Sequence, residues 1–131
     1  MNRVDGKIAI ITGGTQGLGK AIAFNFAKMG AKGIIILGRN KDRGEEVASN
    51  IIQDTGCKTF FFKTELSDVS NCREAIAFTL QKFPQIDILV NAAGLTDRGN
   101  IVETSEELFD QMIGTNVKGP FFLIQDTVKN M

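Results

Sequence analysis

Residues 7–19 read Lys7-Ile8-Ala9-Ile10-Ile11-Thr12-Gly13-Gly14-Thr15-Gln16-Gly17-Leu18-Gly19. A short β-branched run breaks off into glycines, as a buried strand entering a tight turn would. Behind it Leu18, Ile22, Phe26 and Met29 recur at spacings of four, four and three. That spacing predicts a helix with one apolar stripe, closed at Gly30. Gly13, Gly17 and Gly19 follow the pattern G-x-x-x-G-x-G. Gly13 allows a sharp exit from the strand. Gly17 lets a phosphate reach the backbone at the helix N-terminus, where free amides and the helix dipole favour an anion. Gly19 lets the helix pack closely on the sheet. Thr15, Gln16 and Leu18 fill the same loop.

The alternation continues outward. Ile34-Ile35-Ile36-Leu37 is a second buried strand. Residues 42 to about 55 form a helix with Val47, Ile51 and Ile52 inward and Gly56 as its stop. Thr59-Phe60-Phe61-Phe62 is a third strand. Ala75, Ile76, Phe78, Thr79 and Phe83 mark a third helix ending at Pro84, and Ile86-Asp87-Ile88-Leu89-Val90 is a fourth strand. A last helical region starts near Thr104, where Thr104 and Glu107 have capping-box spacing. Gly119-Pro120 inside it should bend or break it. Continuous apolar strands alternating with helices indicate an α/β domain spanning residues 1–131. The expected fold is a Rossmann-type, doubly wound parallel sheet with helices on both faces. Right-handed crossovers give strand order 3-2-1-4, incomplete at four strands. The crevice at the carboxyl ends of strands 1 and 4 is then the switch point where a ligand sits.

Composition removes other classes. Lys plus Arg and Asp plus Glu both number 15, so no charge excess attracts nucleic acid. Without histidine, and with Cys57 and Cys72 in no ligand spacing, no metal site or disulfide scaffold is expected. The polar N-terminus and short apolar runs argue against a secretion signal or membrane anchor, and a cytoplasmic protein is expected. Ten Phe supply all the aromatic content; there is no Trp and no Tyr.

Two other phosphate-loop readings fail on residues. Gly19-Lys20-Ala21 lacks the Mg²⁺-binding hydroxyl of a P-loop hydrolase. A nucleoside-binding methyltransferase would want a carboxylate ending strand 2, which ends Leu37-Gly38-Arg39. In a dinucleotide-binding unit the residue about 20 positions past the loop chooses the cofactor. Arg39 lies 39 − 19 = 20 residues after Gly19. A guanidinium fork there suits a ribose 2′-phosphate, so NADP is favoured, with NAD possible. The alternative for Arg39 is an exposed residue opening a surface turn. Asn40 is read as a cap or turn residue.

Thr12-Gly13-x-x-x-Gly17-x-Gly19, then Asn91-Ala92-Ala93-Gly94 after strand 4, then Asn116-Val117 in the last helix, resemble the short-chain dehydrogenase/reductase family. The match runs in order over essentially the whole chain. The resemblance implies hydride transfer between a nicotinamide and a small-molecule carbonyl or alcohol in the full-length form, and a homo-oligomer. It implies that Asn91, Ala92, Ala93 and Gly94 pack beside the adenine-ribose portion and stabilise the sheet, with Ala92 standing where the family has Asn. It places Glu65 and Leu66 near the adenine, with Glu where the family commonly has Asp. Asn116 is implied to hold a water of a proton relay; otherwise it pairs with backbone. The implied acid/base is a Tyr with a Lys four residues later, and this chain has no Tyr. Chain order would place that pair beyond Met131. The expectation is therefore a cofactor-binding half that is inactive alone. The alternatives are a non-catalytic dinucleotide-binding module and a degenerate reading frame with no stable role. Residues 96–100 would lie at the cleft mouth.

Overall fold

The computed structural model describes residues 4–95 and 100–131. Four strands form one parallel sheet in the order β3-β2-β1-β4: β1 Ile8–Thr12, β2 Gly33–Gly38, β3 Lys58–Lys63 and β4 Ile88–Asn91. This is the expected 3-2-1-4 order. In register Ile10 lies between Ile35 and Leu89, and Thr12 between Leu37 and Asn91.

Alternate strand residues serve two separate cores, which is why these strands read as unbroken apolar runs. Ile8, Ile10, Ile35 and Leu37 point to a face covered by α3 (Val69–Lys82) and α5 (Gly119–Lys129), through Cys72, Ala75, Ile76 and Leu123. Ile11, Ile34, Ile36 and Phe61 point to the opposite face. There α1 (Gly17–Lys28) and α2 (Lys41–Thr55) cover them through Ala23, Ala27, Val47, Ala48 and Ile51. The outer strands are less enclosed: β3 alternates, and Ile88, Leu89 and Val90 of β4 are half-buried.

Several local expectations need correction. The sheet-facing side of α1 is Gly19, Ala23 and Ala27, whereas Leu18 is 72% exposed and Met29 is also exposed. The helix approaches too closely for large side chains, which flank the contact instead of filling it. In α2, Ile52 points outward, and Gly44 and Ala48 join the buried side. Ile86 is buried but precedes β4. Thr104 is not the cap of the last helical region. Helix α4 (Glu106–Ile113) begins after Ser105, whose hydroxyl accepts the Leu108 amide at 3.1 Å, and the Thr104 hydroxyl donates to the Asn100 carbonyl.

The Gly119-Pro120 bend takes a definite form. Between α4 and α5, Gly114–Lys118 is a π-helical turn, closed by the Gly119 amide donating to the Gly114 carbonyl. Widening the turn just before Pro120 accommodates the helix to a residue that cannot donate. It also brings Gly114 and Gly119, five residues apart, onto one side. A Cβ on Gly114 would lie 2.7 Å from the Ser67 Cβ, and one on Gly119 would fall on the Leu66 carbonyl oxygen. The two glycines thus let the helix press on the loop that follows β3.

Candidate functional site

The strands' carboxyl ends open on a cleft of about 390 Å³. Of the residues singled out by sequence, the structure brings Gly13, Thr15, Gln16, Gly17, Leu18, Gly19, Arg39, Glu65, Leu66, Ala92, Ala93 and Gly94 to its wall. Asn91 and Asn116 do not line it.

The floor is glycine-built. Gly13 leaves β1 at φ +67°, a conformation L side chains avoid, and a Cβ there would lie 2.8 Å from the Ala93 backbone. A Cβ on Gly19 would fall on the Gly13 carbonyl oxygen, whereas one on Gly17 (φ +57°) would meet no protein atom within 4 Å. Gly13 and Gly19 are therefore needed by the fold, and Gly17 faces open space. At the N-cap of α1, Gln16 makes no side-chain capping bond. The first-turn amides have no side-chain cap and open towards the cleft, the electrostatic condition for an anion.

The wall from β4 is tied to the floor by Thr12, which is 1% exposed. Its hydroxyl accepts the Ala92 and Ala93 amides, each at 3.1 Å. Asn116 ties the same loop further on: its Oδ1 accepts the Leu95 amide at 2.8 Å and its Nδ2 donates to the Leu95 carbonyl at 2.7 Å. Asn116 thus holds this loop through its side chain. Residues 96–99, expected at the cleft mouth, lie outside the described residues; Asn100 is exposed.

Glu65 is engaged within the protein. Its Oε1 accepts from the Ser67 hydroxyl at 2.9 Å and from Gln111 Nε2 of α4 at 3.3 Å. One carboxylate oxygen therefore bridges the β3 loop to α4. Opposite, Gly38 ends β2 tightly against Thr15, where a Cβ would lie 2.9 Å from the threonine methyl group. Asn40 caps α2, with Oδ1 accepting the Arg43 amide at 3.0 Å.

Sequence reading missed Thr12 as a buried tie, and Leu37, Asn40, Arg43, Thr64 and Thr115 in the lining. Arg43 had a signal, since a cap at Asn40 puts it in the first turn of α2, four positions after Arg39. Both thiols are buried and free. Burial raises both their pKa values, that of Cys72 to about 11, with Asp68, Glu65 and Asp126 adding to the rise. They are protonated at neutral pH and packed in the cores, which suits filler rather than nucleophile. Among the described residues no cluster of three or more His, Cys, Asp or Glu could hold a metal, and no helix is long and apolar enough to cross a membrane.

The profile of the short chain dehydrogenase family matches residues 7–131. An uncharacterized oxidoreductase of Thermotoga maritima is 40% identical over 126 residues, covering 96% of this chain and 49% of the relative. Short-chain dehydrogenase reductase 5 of Arabidopsis thaliana is 34% identical, covering 98% and 49%. L-sorbose reductase from Gluconobacter frateurii, solved with NADPH and L-sorbose, superposes with a TM-score of 0.93 at 29% identity, over 98% of this chain and 49% of that one. An alcohol dehydrogenase from the archaeon Thermococcus sibiricus, solved with 5-hydroxy-NADP, superposes with a TM-score of 0.90 at 31% identity, over 95% and 52%. The chain belongs to the short-chain dehydrogenase/reductase family, an oxidoreductase family. It spans about half the length of these curated relatives.

Proposed function

We propose that this chain is the cofactor-binding half of an NADP-preferring oxidoreductase acting on a small-molecule carbonyl or alcohol. The observation that carries this reading is the N-terminus of α1, which has no side-chain cap and lines a cleft that Arg39 also lines. The pyrophosphate would lie over Gly17 and the first-turn amides, and the adenine between Arg39 and Leu66. The 2′-phosphate would lie by Arg39, where β2 ends without a carboxylate to repel it. Bound nicotinamide would supply or accept the hydride. Asn116, through Leu95, would hold the loop beside it in place. The NADPH of the sorbose reductase and the NADP analogue of the archaeal enzyme support the cofactor reading.

The 131 residues contain no Tyr, so we place the phenolic acid/base of the reaction outside them. Calorimetric titration of the chain with NADPH and NADH tests the whole reading. NADPH should bind more tightly, and Arg39→Ala should cut the preference by roughly tenfold. The same samples, given a carbonyl substrate, should show no oxidation of NADPH. Tighter NADH binding would overturn the cofactor assignment, and turnover would overturn the placement of the acid/base.

We also propose a homo-oligomer. Phe109, Ile113, Val117, Phe121, Ile124 and Val128 are all exposed along α4, the π turn and α5. A stripe of this kind is buried in a stable assembly, a second copy of the chain being the occupant that needs no other partner. Sedimentation of the chain should show self-association that Phe121→Asp weakens. A monodisperse monomer at tens of micromolar would count against it.

A further inference from the structure

Arg43 reaches the cleft from a different element than Arg39, and how it is held is informative. It stands in the first turn of α2, behind the Asn40 cap. The next residue is Gly44, where a Cβ would collide with the Phe61 ring. That contact seats the start of α2 on the sheet and so sets where the Arg43 side chain begins. Its Nη1 then donates to Gln16 Oε1 at 2.7 Å, across 27 positions of sequence. Gln16 is free for this because its side chain does not cap α1. Both residues line the cleft, as Arg39 does.

Electrostatics make the arrangement more than a surface contact. The ion pair found among the described residues is Arg73–Asp126, far along the chain, so neither Arg39 nor Arg43 is matched there by a carboxylate. Gln16 orients the Arg43 guanidinium without neutralising it. One of five N–H donors is used, and the planar fork leaves the rest for another acceptor. Two unneutralised guanidinium groups in the wall of one cleft suit a phosphate monoester with several charged oxygens.

We propose that Arg43 is a second specificity-determining residue, gripping the ribose 2′-phosphate together with Arg39, and that Gln16 is its positioning residue. This rests on the NADP reading above. Loop and helix then close on the phosphate as a strap from the cap position of α1 to the first turn of α2.

The test is titration of the intact protein with 2′,5′-ADP and with 5′-AMP, which differ by the 2′-phosphate. Arg43→Ala should weaken 2′,5′-ADP binding about tenfold and 5′-AMP binding less than twofold, because an exposed charge-assisted contact is lost. Arg43→Lys should fall between, keeping charge but losing the fork. Gln16→Glu, which sets a carboxylate on Arg43, should lower the ratio of the two affinities while Arg43 remains in place. Retained preference in Arg43→Ala, with loss in Arg39→Ala, would overturn the role of Arg43 and leave the NADP reading standing. Equal binding of the two ligands by the unmodified protein would overturn both. An Arg43→Ala loss shared equally by the two ligands would make Arg43 merely structural and overturn the assignment.

Discussion

Gly13→Ala should destabilise the protein by about 2–5 kcal/mol and abolish measurable dinucleotide binding. Two costs combine. An L side chain at φ +67° costs roughly 1–2 kcal/mol. The added Cβ must also sit 2.8 Å from the Ala93 backbone, and forcing such an overlap costs about 1–3 kcal/mol. Backbone on both sides cannot yield as a flexible side chain would. The Gly13 amide donates to the Leu37 carbonyl at 2.9 Å, so displacing it also disturbs the end of β2, next to Arg39. A fall in melting temperature of roughly 10 °C is expected, read by thermal denaturation. Gly17→Ala is the informative contrast. It has a comparable φ, but a Cβ would meet nothing within 4 Å, so stability should drop by only about 1–2 kcal/mol. The added methyl group would stand where the phosphate is placed, so binding should still fail. A Gly13→Ala protein as stable as the parent would refute the assignment of that glycine to the fold.

That contrast between glycines was not visible in the sequence, where all three share one motif. What could be read was whatever rests on composition along a single element. Residues 34–37 had to be a two-sided buried strand because Ile34 and Ile36 serve one core and Ile35 and Leu37 the other. The strand order followed from parallel connections of one hand. The errors arose where packing distance decides. Apolar periodicity favoured Leu18, Ile22, Phe26 and Met29 as the inner stripe of α1, yet a helix whose Gly19 meets the Gly13 carbonyl has room only for Ala23 and Ala27 behind it. Hydropathy rewards large residues and cannot see a gap too narrow for them. Pro120 signalled a disturbed helix, but the π turn depends on where the loop at Leu66 and Ser67 lies, which is tertiary information. Arg43 belonged to the site only once the start of α2 was located at Asn40. Thr12 was read as part of a motif, and its two accepted amides lie 80 and 81 residues away.

Thr12→Val should cost about 2–4 kcal/mol although it preserves shape. The hydroxyl is buried and accepts two backbone amides, Ala92 and Ala93, so a methyl group leaves two donors without their partner at roughly 1–3 kcal/mol each. Partial entry of water at the cleft keeps the total below the sum of the upper values. The change also has a functional readout. Ala92, Ala93 and Gly94 form the cleft wall, and Gly13 packs directly on Ala93, so loosening the wall loosens the floor. Dinucleotide affinity should drop by about tenfold, alongside the loss measured by chemical denaturation. Thr12→Ser separates hydroxyl from methyl group. It should retain both amide bonds and most of the affinity, losing only about 1 kcal/mol of packing. If Thr12→Val and Thr12→Ser proved equally stable and equally able to bind, the hydroxyl would not be the tie. The β4 wall would then have to be held by strand pairing and Asn116 alone. Because the Asn116 bonds found among the described residues go to Leu95, at the outer end of that loop, the geometry favours the opposite result: without Thr12, no hydrogen bond among the described residues joins the wall to β1 between Asn91 and Leu95.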